Sequence, residues 1–154
     1  MHRHMAQAQV VVLGRGPGSK RFKSKAEAIS FLRLYRNDPE ECPFRVGEAD
    51  LAWVVPLFHR HPKASKLLRD WDGQTVWVAL DKVHERVVRV FQVQTTLGGM
   101  VTISGHECIK SGVSNNAAID RASRAAEARK ERACEKAGED GCLIISGGLR
   151  QLSL

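Results

Sequence analysis

The chain has 154 residues, of which 43% are hydrophobic and 27% charged, so it is long enough for one core and too short for two. Its longest apolar run, Leu51 to Phe58, is interrupted by Pro56 and is far shorter than the roughly 20 residues of a membrane-spanning helix, so no membrane partner is expected. The formal net charge of +7 favours polyanions such as RNA, DNA or anionic lipid.

The positive charge is distributed unevenly along the chain. The stretch from residue 115 to 140 holds six basic and six acidic residues, so its field largely cancels. The first 25 residues contain no acidic residue, and their basic residues are Arg3, Arg15, Lys20, Arg21, Lys23 and Lys25. The basic field is therefore expected outside the C-terminal stretch.

The cysteine pattern and the N-terminus bear on the cellular compartment. Cys42, Cys108, Cys134 and Cys142 form no Cys-x-x-Cys pair, and the first apolar run, residues 10 to 13, is too short for a secretory signal. We therefore expect reduced, mostly buried thiols in a cytoplasmic protein.

The first predicted elements are a strand and a helix. Residues Gln9–Leu13 form a β-branched run that predicts a short strand, and the glycine-rich segment from Gly14 to Lys20 predicts a flexible basic loop. Ser24 and Glu27 match a capping box, and the apolar spacing after them predicts a helix from about Lys25 to Arg36.

A second helix and an antiparallel sheet follow. Glu48–His59 has helical apolar spacing, although Pro56 should kink or split the helix. Turn signals at Asp72-Gly73 and Gly98-Gly99 bound a three-stranded meander. Its strands are predicted at Val76–Leu80, Val87–Gln94 and Met100–Ser104.

The C-terminal part is predicted as a helix and a strand. Asn115 or Asn116 can cap a helix that runs to about Lys136, and Cys142–Ile145 is typical of a buried strand. The element order predicts the α+β class, with a mostly antiparallel sheet of about four to five strands and helices packed on one face. The expected parts are a flexible basic segment with a short strand (1–20), an α+β domain (21–112), and a helix and strand packing on that domain (113–154).

Two basic segments are candidate nucleic-acid contacts. The first lies in and after the glycine-rich loop, which fits neither the Walker nor the dinucleotide pattern, and its residues are Arg15, Lys20, Arg21 and Lys23. The second follows the Glu48–His59 helix, and its residues Arg60, Lys63, Lys66 and Arg69 are spaced by three. A helical segment there would align these four as a stripe able to follow a phosphate backbone, and a solvated helix face is the alternative.

A metal site is a further candidate. His59, His61, His106 and Cys108 are ligand types that zinc accepts, and ordinary partly buried histidines are the alternative. His106 and Glu107 are the residue types of the His-x-Glu half of a zinc deaminase motif, but the Pro-Cys-x-x-Cys half is absent from the sequence, which excludes that class.

The tryptophans are candidate base-stacking groups. Trp53 and Trp77 lie in apolar runs and are predicted in the core, whereas Trp71, between two aspartates, is predicted at the surface.

A series of short motifs lies in a recognisable order along the chain. They are Phe22 to Ala28, Asp50-Leu51, Leu57-Phe58, His61-Pro62 with Lys66, Thr75–Leu80, Arg89–Val93, Gly98-Gly99 and Cys108-Ile109. This order resembles the DCL (defective chloroplasts and leaves) family over roughly Arg21 to Gly112. The sequence departs from the family at two positions, where Leu67 stands in place of a frequent glycine and Ile103 in place of an aromatic residue.

The resemblance implies an RNA setting, since plant members act in chloroplast ribosomal RNA maturation and a similar domain ends the largest subunit of a plant RNA polymerase. We therefore predict a non-enzymatic RNA-associated module without a cofactor, with His61 and Pro62 forming a structural turn. The alternatives are a protein-interaction domain for a ribosome-assembly or polymerase partner, and a small zinc-dependent nuclease or hydrolase.

Overall fold

A computed structural model describes residues 10–139, so the predicted strand at Cys142–Ile145 lies outside the described residues. The elements are β1 (Val11–Leu13), β2 (Lys20–Phe22), α1 (Lys25–Asn37), β3 (Phe44–Arg45), α2 (Glu48–His59), α3 (Ala64–Leu67), β4 (Trp71–Val83), β5 (Arg86–Thr95), β6 (Met100–Ile103), α4 (Gly105–Lys110) and α5 (Asn115–Glu139).

The strands form two antiparallel sheets. The larger sheet has four strands in the order β3-β4-β5-β6, and β1 pairs with β2 in a separate two-stranded sheet. Helices α1 and α2 pack on β5 and β4. The predicted α+β class and the three-stranded meander are confirmed, while β2, β3, α3 and α4 were not predicted.

The register of the larger sheet separates two faces. One cross-strand row, formed by Phe44, Val78, Phe91 and Ile103, belongs to the core with α1 and α2. The adjacent row points to the other side of the sheet, which we call the open face, and consists of Arg45, Trp77, Gln92 and Thr102. Members of this second row are half-buried or exposed.

Helix α1 begins at the predicted Ser24 cap, with the returning bond of Glu27 made to Lys23, the residue before the cap. Ser24 Oγ accepts a hydrogen bond from the Glu27 amide (3.1 Å), and Glu27 Oε1 accepts one from the Lys23 amide (2.9 Å). Ser104 and Glu107 repeat the Ser-x-x-Glu spacing at the start of α4, where Ser104 Oγ accepts from the Glu107 amide (3.1 Å). That spacing was the sequence signal for α4.

Helix α2 is continuous through Pro56, so the predicted split does not occur. Proline has no amide to bond the carbonyl of Ala52, one turn earlier. Gly14 of the β1–β2 loop packs over this carbonyl, and a Cβ built on Gly14 would lie 2.4 Å from Ala52 O. The loop that was predicted to be flexible is therefore fitted closely to α2.

The N-terminal strand is part of the core. Val11 and Leu13 of β1 are 1% and 0% exposed, and β1 pairs with β2 through Val11–Phe22, Val12–Arg21 and Leu13–Lys20. Burial of these two side chains anchors β1, the short strand that was predicted within the flexible segment 1–20, to the domain.

Two tryptophan predictions are wrong. Trp71 is 4% exposed, packs against Phe58 and donates from Nε1 to the Thr75 carbonyl (3.0 Å). Trp77 is half-buried on the open face because it alternates with the buried Val76 and Val78. Trp53 is 1% exposed, as predicted.

The described chain falls into two compact units that divide within α5, after Ala122. The first unit contains both sheets, and the described part of the second is helical to Glu139.

Replacement of Gly14 by alanine should destabilise the protein more than replacement of Gly16. Both glycines have positive φ (92° and 73°), so both variants pay the left-handed backbone cost of about 1–2 kcal/mol. Only at Gly14 does the new methyl group also meet a carbonyl, since a Cβ on Gly16 has no atom within 4 Å. Urea unfolding measures both free energies, and equal losses would contradict the close packing on α2.

Candidate nucleic-acid interface

Arg60 is the C-cap residue of α2 and is only 4% exposed. Its Nε donates to the Cys108 carbonyl (3.2 Å), its Nη1 donates to Asn115 Oδ1, and its own carbonyl accepts from the Val113 amide (2.9 Å). Burial lowers the pKa of the guanidinium, which still remains charged at neutral pH. Arg60 is therefore a structural tether, and the prediction that it contacts nucleic acid is corrected.

Asn115 completes this junction. Its Oδ1 also accepts from the Val12 amide (3.1 Å), and its Nδ2 donates to the Val10 carbonyl (3.1 Å), so the side chain bonds the free edge of β1 as a strand would. Ser114, rather than Asn115, caps α5, because Ser114 Oγ accepts from the Ala117 amide (3.3 Å). We call Arg60, Cys108, Val113 and Asn115 the Arg60 junction.

The remaining basic residues after α2 are exposed. Lys63, Lys66 and Arg69 lie in and beside the four-residue helix α3, which is too short to align a long stripe. Within residues 10–139 no carboxylate lies within 4.0 Å of any of these three cationic groups. Their charges are therefore available to a partner.

The basic residues of the N-terminal hairpin are also exposed, but two of them have contacts. Arg15 lies 3.9 Å from Asp120, and the Lys20 ammonium lies 5.6 Å from the centre of the Phe31 ring. Arg21 and Lys23 are exposed on and just after β2. Of the four, Arg21 and Lys23 keep the least compensated charge.

Both basic segments adjoin the Arg60 junction, the first through hydrogen bonds and the second through the chain itself. β2 pairs with β1, whose Val12 is bonded by Asn115, and Lys63 follows Arg60 by three residues. Lys25 donates to the carbonyl of the exposed Lys110 at the end of α4 (3.1 Å), which adds two cations close to the junction. Sequence reasoning missed Lys110 because α4 was not predicted.

The His61-Pro62 segment forms a turn. The Lys63 amide donates to His61 Nδ1 (3.0 Å), and the Ala64 amide donates to the His61 carbonyl (3.0 Å). Burial lowers the pKa of the half-buried His61, while nearby Glu107 opposes this shift. The neutral form of the His61 ring therefore holds the turn, and it orients Lys63, the first residue of the exposed basic group.

The four candidate zinc ligands do not form a site. In the described part of the chain, no group of three His, Cys, Asp or Glu side chains is placed to hold a metal ion. His106 is exposed whereas Cys108 is fully buried, because residues two apart on α4 point in different directions. His59 is also buried, at 7% exposure.

Cys108 is unsuited to act as a nucleophile. Burial raises the pKa of its thiol to about 12, although the nearby Arg60 charge opposes the shift. Reactive thiols are instead low in pKa and accessible. The geometry therefore gives no support to the predicted hydrolase alternative.

Comparisons with known proteins inform only the fold. No family model and no curated protein matches the sequence. The fold is similar to the solution structure of an uncharacterised protein from Rhodospirillum rubrum, with a TM-score of 0.50, 23% sequence identity, and coverage of 68% of this chain and 91% of that one. None of the helices in the described residues has the length and apolar character needed to cross a membrane.

The Arg60→Met variant should be strongly destabilised. Methionine keeps an apolar stem but removes the N–H groups that donate to Cys108 O and Asn115 Oδ1. Asn115 Oδ1 keeps its bond from the Val12 amide, so the loss falls mainly on the Cys108 carbonyl and should cost about 1–3 kcal/mol of unfolding free energy. Arg33→Met, at an exposed α1 position, is the control and should change stability by less than about 0.5 kcal/mol. Urea unfolding distinguishes them, and equal stabilities would exclude the tether.

Cys108 should make the fold less stable at high pH. Its folded pKa is raised from 9.0 to about 12, so its contribution is complete below pH 9 and is lost as pH rises towards 12. Between pH 8 and pH 10.5, the unfolding free energy of the wild type should therefore fall by about 2 kcal/mol more than that of Cys108→Ala. Tyr35, whose pKa is also raised by burial, is present in both proteins, so its titration affects both equally. Parallel pH profiles of the two proteins would contradict this prediction.

Proposed function

We propose that the protein is a non-enzymatic module that binds RNA through its phosphate backbone. The observation that carries the proposal is the exposed group of Lys63, Lys66 and Arg69, which has no acidic partner within ion-pair distance in the described chain. Surface cations without an acidic partner can bind the phosphates of nucleic acid, and the release of condensed counterions favours this binding. Arg21, Lys23 and Lys110 supply further exposed positive charge.

The sequence resemblance to the DCL family supports RNA as the polyanion and suggests RNA maturation or transcription as the setting. A cytoplasmic location belongs to the same proposal, and the free thiols of Cys42 and Cys108 are compatible with it. Because Arg60 is buried, the proposed phosphate contacts of this segment begin at Lys63, the first exposed basic residue after the His61 turn.

A protein-interaction role is the second candidate, and the β4–β5 hairpin favours it. Two apolar side chains near its tip are exposed on the same side of the hairpin, namely Leu80 (56%) and Val87 (66%). Exposed apolar groups that lie together are typical of protein contacts. A ribosome-assembly or polymerase protein would suit the RNA setting proposed above.

The double variant Lys63→Ala with Lys66→Ala should bind RNA roughly tenfold more weakly than the wild type, because two phosphate contacts are lost. Fluorescence anisotropy with a labelled single-stranded RNA measures the affinity from low to near-physiological salt. The slope of log affinity against log salt should become shallower by about 0.7 for each lost contact.

Arg33→Ala with Lys130→Ala is the matched control, because it removes the same charge from exposed positions outside both basic segments. The control should keep most of the wild-type affinity. Equal weakening of the two variants would show a response to net charge alone, and no RNA binding by the wild type would favour the protein-interaction role.

A further inference from the structure

The open face carries an ordered set of side chains that differs from the core face. Its central row crosses all four strands of the larger sheet, from Arg45 on β3 through Trp77 and Gln92 to Thr102 on β6. In order, these supply a cation, an aromatic ring, an amide and a hydroxyl group. The row contains no acidic residue.

Trp77 is the accessible tryptophan of the chain. The sequence contains three tryptophans, and Trp53 and Trp71 are 1% and 4% exposed, whereas Trp77 is half-buried. Its Nε1 donates to Gln94 Oε1 (3.3 Å), which ties the indole to the sheet. The ring is thus held in place while part of its surface remains in contact with solvent.

Polar groups surround the indole. Gln92 Nε2 lies 3.4 Å from Thr102 Oγ1, a long hydrogen bond that a better partner can replace. The exposed Arg45 is the direct cross-strand neighbour of Trp77. Burial opposes ionisation of the nearby Asp72 carboxyl group, but hydrogen bonds from Thr75 and Gln74 lower its pKa, and the Arg45 charge adds to the lowering.

These groups fit an unpaired base better than a protein segment or a duplex. A flat aromatic ring stacks on any exposed base, amide and hydroxyl groups bond base edges, and an adjacent arginine attracts the phosphate. The bases of a duplex are already stacked on one another, so their faces are inaccessible to Trp77. Tryptophan and arginine also occur in protein interfaces, but the core of such an interface is more apolar than this row, in which three of the four side chains are polar or charged.

We propose that the open face binds unpaired bases of a single-stranded nucleic acid, with Trp77 as the stacking platform. Gln92, Gln94 and Thr102 bond the base edges, and Arg45 contacts the adjoining phosphate. This inference rests on the proposed function, which supplies RNA as the bound polymer. It adds a preference for single strands that Lys63 and Lys66 alone do not provide.

The test compares Trp77→Leu and Trp77→Phe in the full chain. The probes are a labelled 12-nucleotide RNA of mixed sequence and the corresponding RNA duplex, measured by anisotropy in the same salt. Trp77→Leu should lose roughly tenfold in affinity for the single strand and keep its affinity for the duplex. Trp77→Phe retains a ring and should stay within about threefold of the wild type for both probes.

A fluorescence titration gives an independent readout. Unlabelled single-stranded RNA should quench the wild-type tryptophan emission, and the quenching should be absent in Trp77→Phe, whose remaining tryptophans are buried. Urea unfolding of both variants confirms that each compared protein is folded. Quenching that persists in Trp77→Phe would overturn the assignment of the stacking residue.

The outcomes separate this inference from the proposed function. If Trp77→Leu binds the single strand as the wild type does while Lys63→Ala with Lys66→Ala weakens binding, the stacking platform is wrong and the proposed function stands. If the wild type binds neither the single strand nor the duplex, the proposed function fails, and this inference fails with it. If the wild type instead forms dimers that sedimentation shows to be lost in Trp77→Leu, the open face is an interface between copies and the inference is overturned.

Discussion

The buried guanidinium of Arg60 is the interaction on which the arrangement of the first unit depends. It lies at the C-terminal end of α2, where the carbonyl groups of a helix favour a positive charge. Neutral oxygens from α4 and the start of α5 solvate it, and the described chain supplies no carboxylate within ion-pair distance. Since Asn115 also bonds the edge of β1, one charge fixes the N-terminal hairpin, two helices and the basic turn that follows α2.

The sequence predicted those elements whose signals are local and long. The α1 helix has a capping box and several apolar repeats, and the meander strands are bounded by clear turns, so their patterns identify them. By contrast, β2, β3 and α3 have two to four residues each, too few to show a period. Their conformation is set by tertiary contacts such as β1–β2 pairing, which the sequence does not display.

The candidate site was predictable in composition but not in placement. Lys63, Lys66 and Arg69 are exposed, as a basic segment suggests, yet Arg60 in the same segment is buried because it satisfies backbone and amide oxygens from distant parts of the chain. In β4 the run from Val76 to Ala79 is apolar throughout, so alternation could not tell which face Trp77 occupies. The flanking acids of Trp71 were misleading, since the Asp72 side chain turns back to accept hydrogen bonds from Gln74 and Thr75 in the irregular start of β4.

The β4–β5 hairpin has a consequence for the behaviour of the protein in concentrated solution. β4 has 13 residues, but β3 pairs only with Trp77 and Val78, so β3 leaves the outer edge of β4 beyond Val78 uncovered. A bare strand edge beside exposed valines is a template for intermolecular sheet growth, and charged side chains are the usual protection against it. Asp81 and Lys82 occupy this edge. Their neutralisation, by substitution or by chemical modification of the lysine, removes the barrier that keeps the hairpins of neighbouring molecules apart.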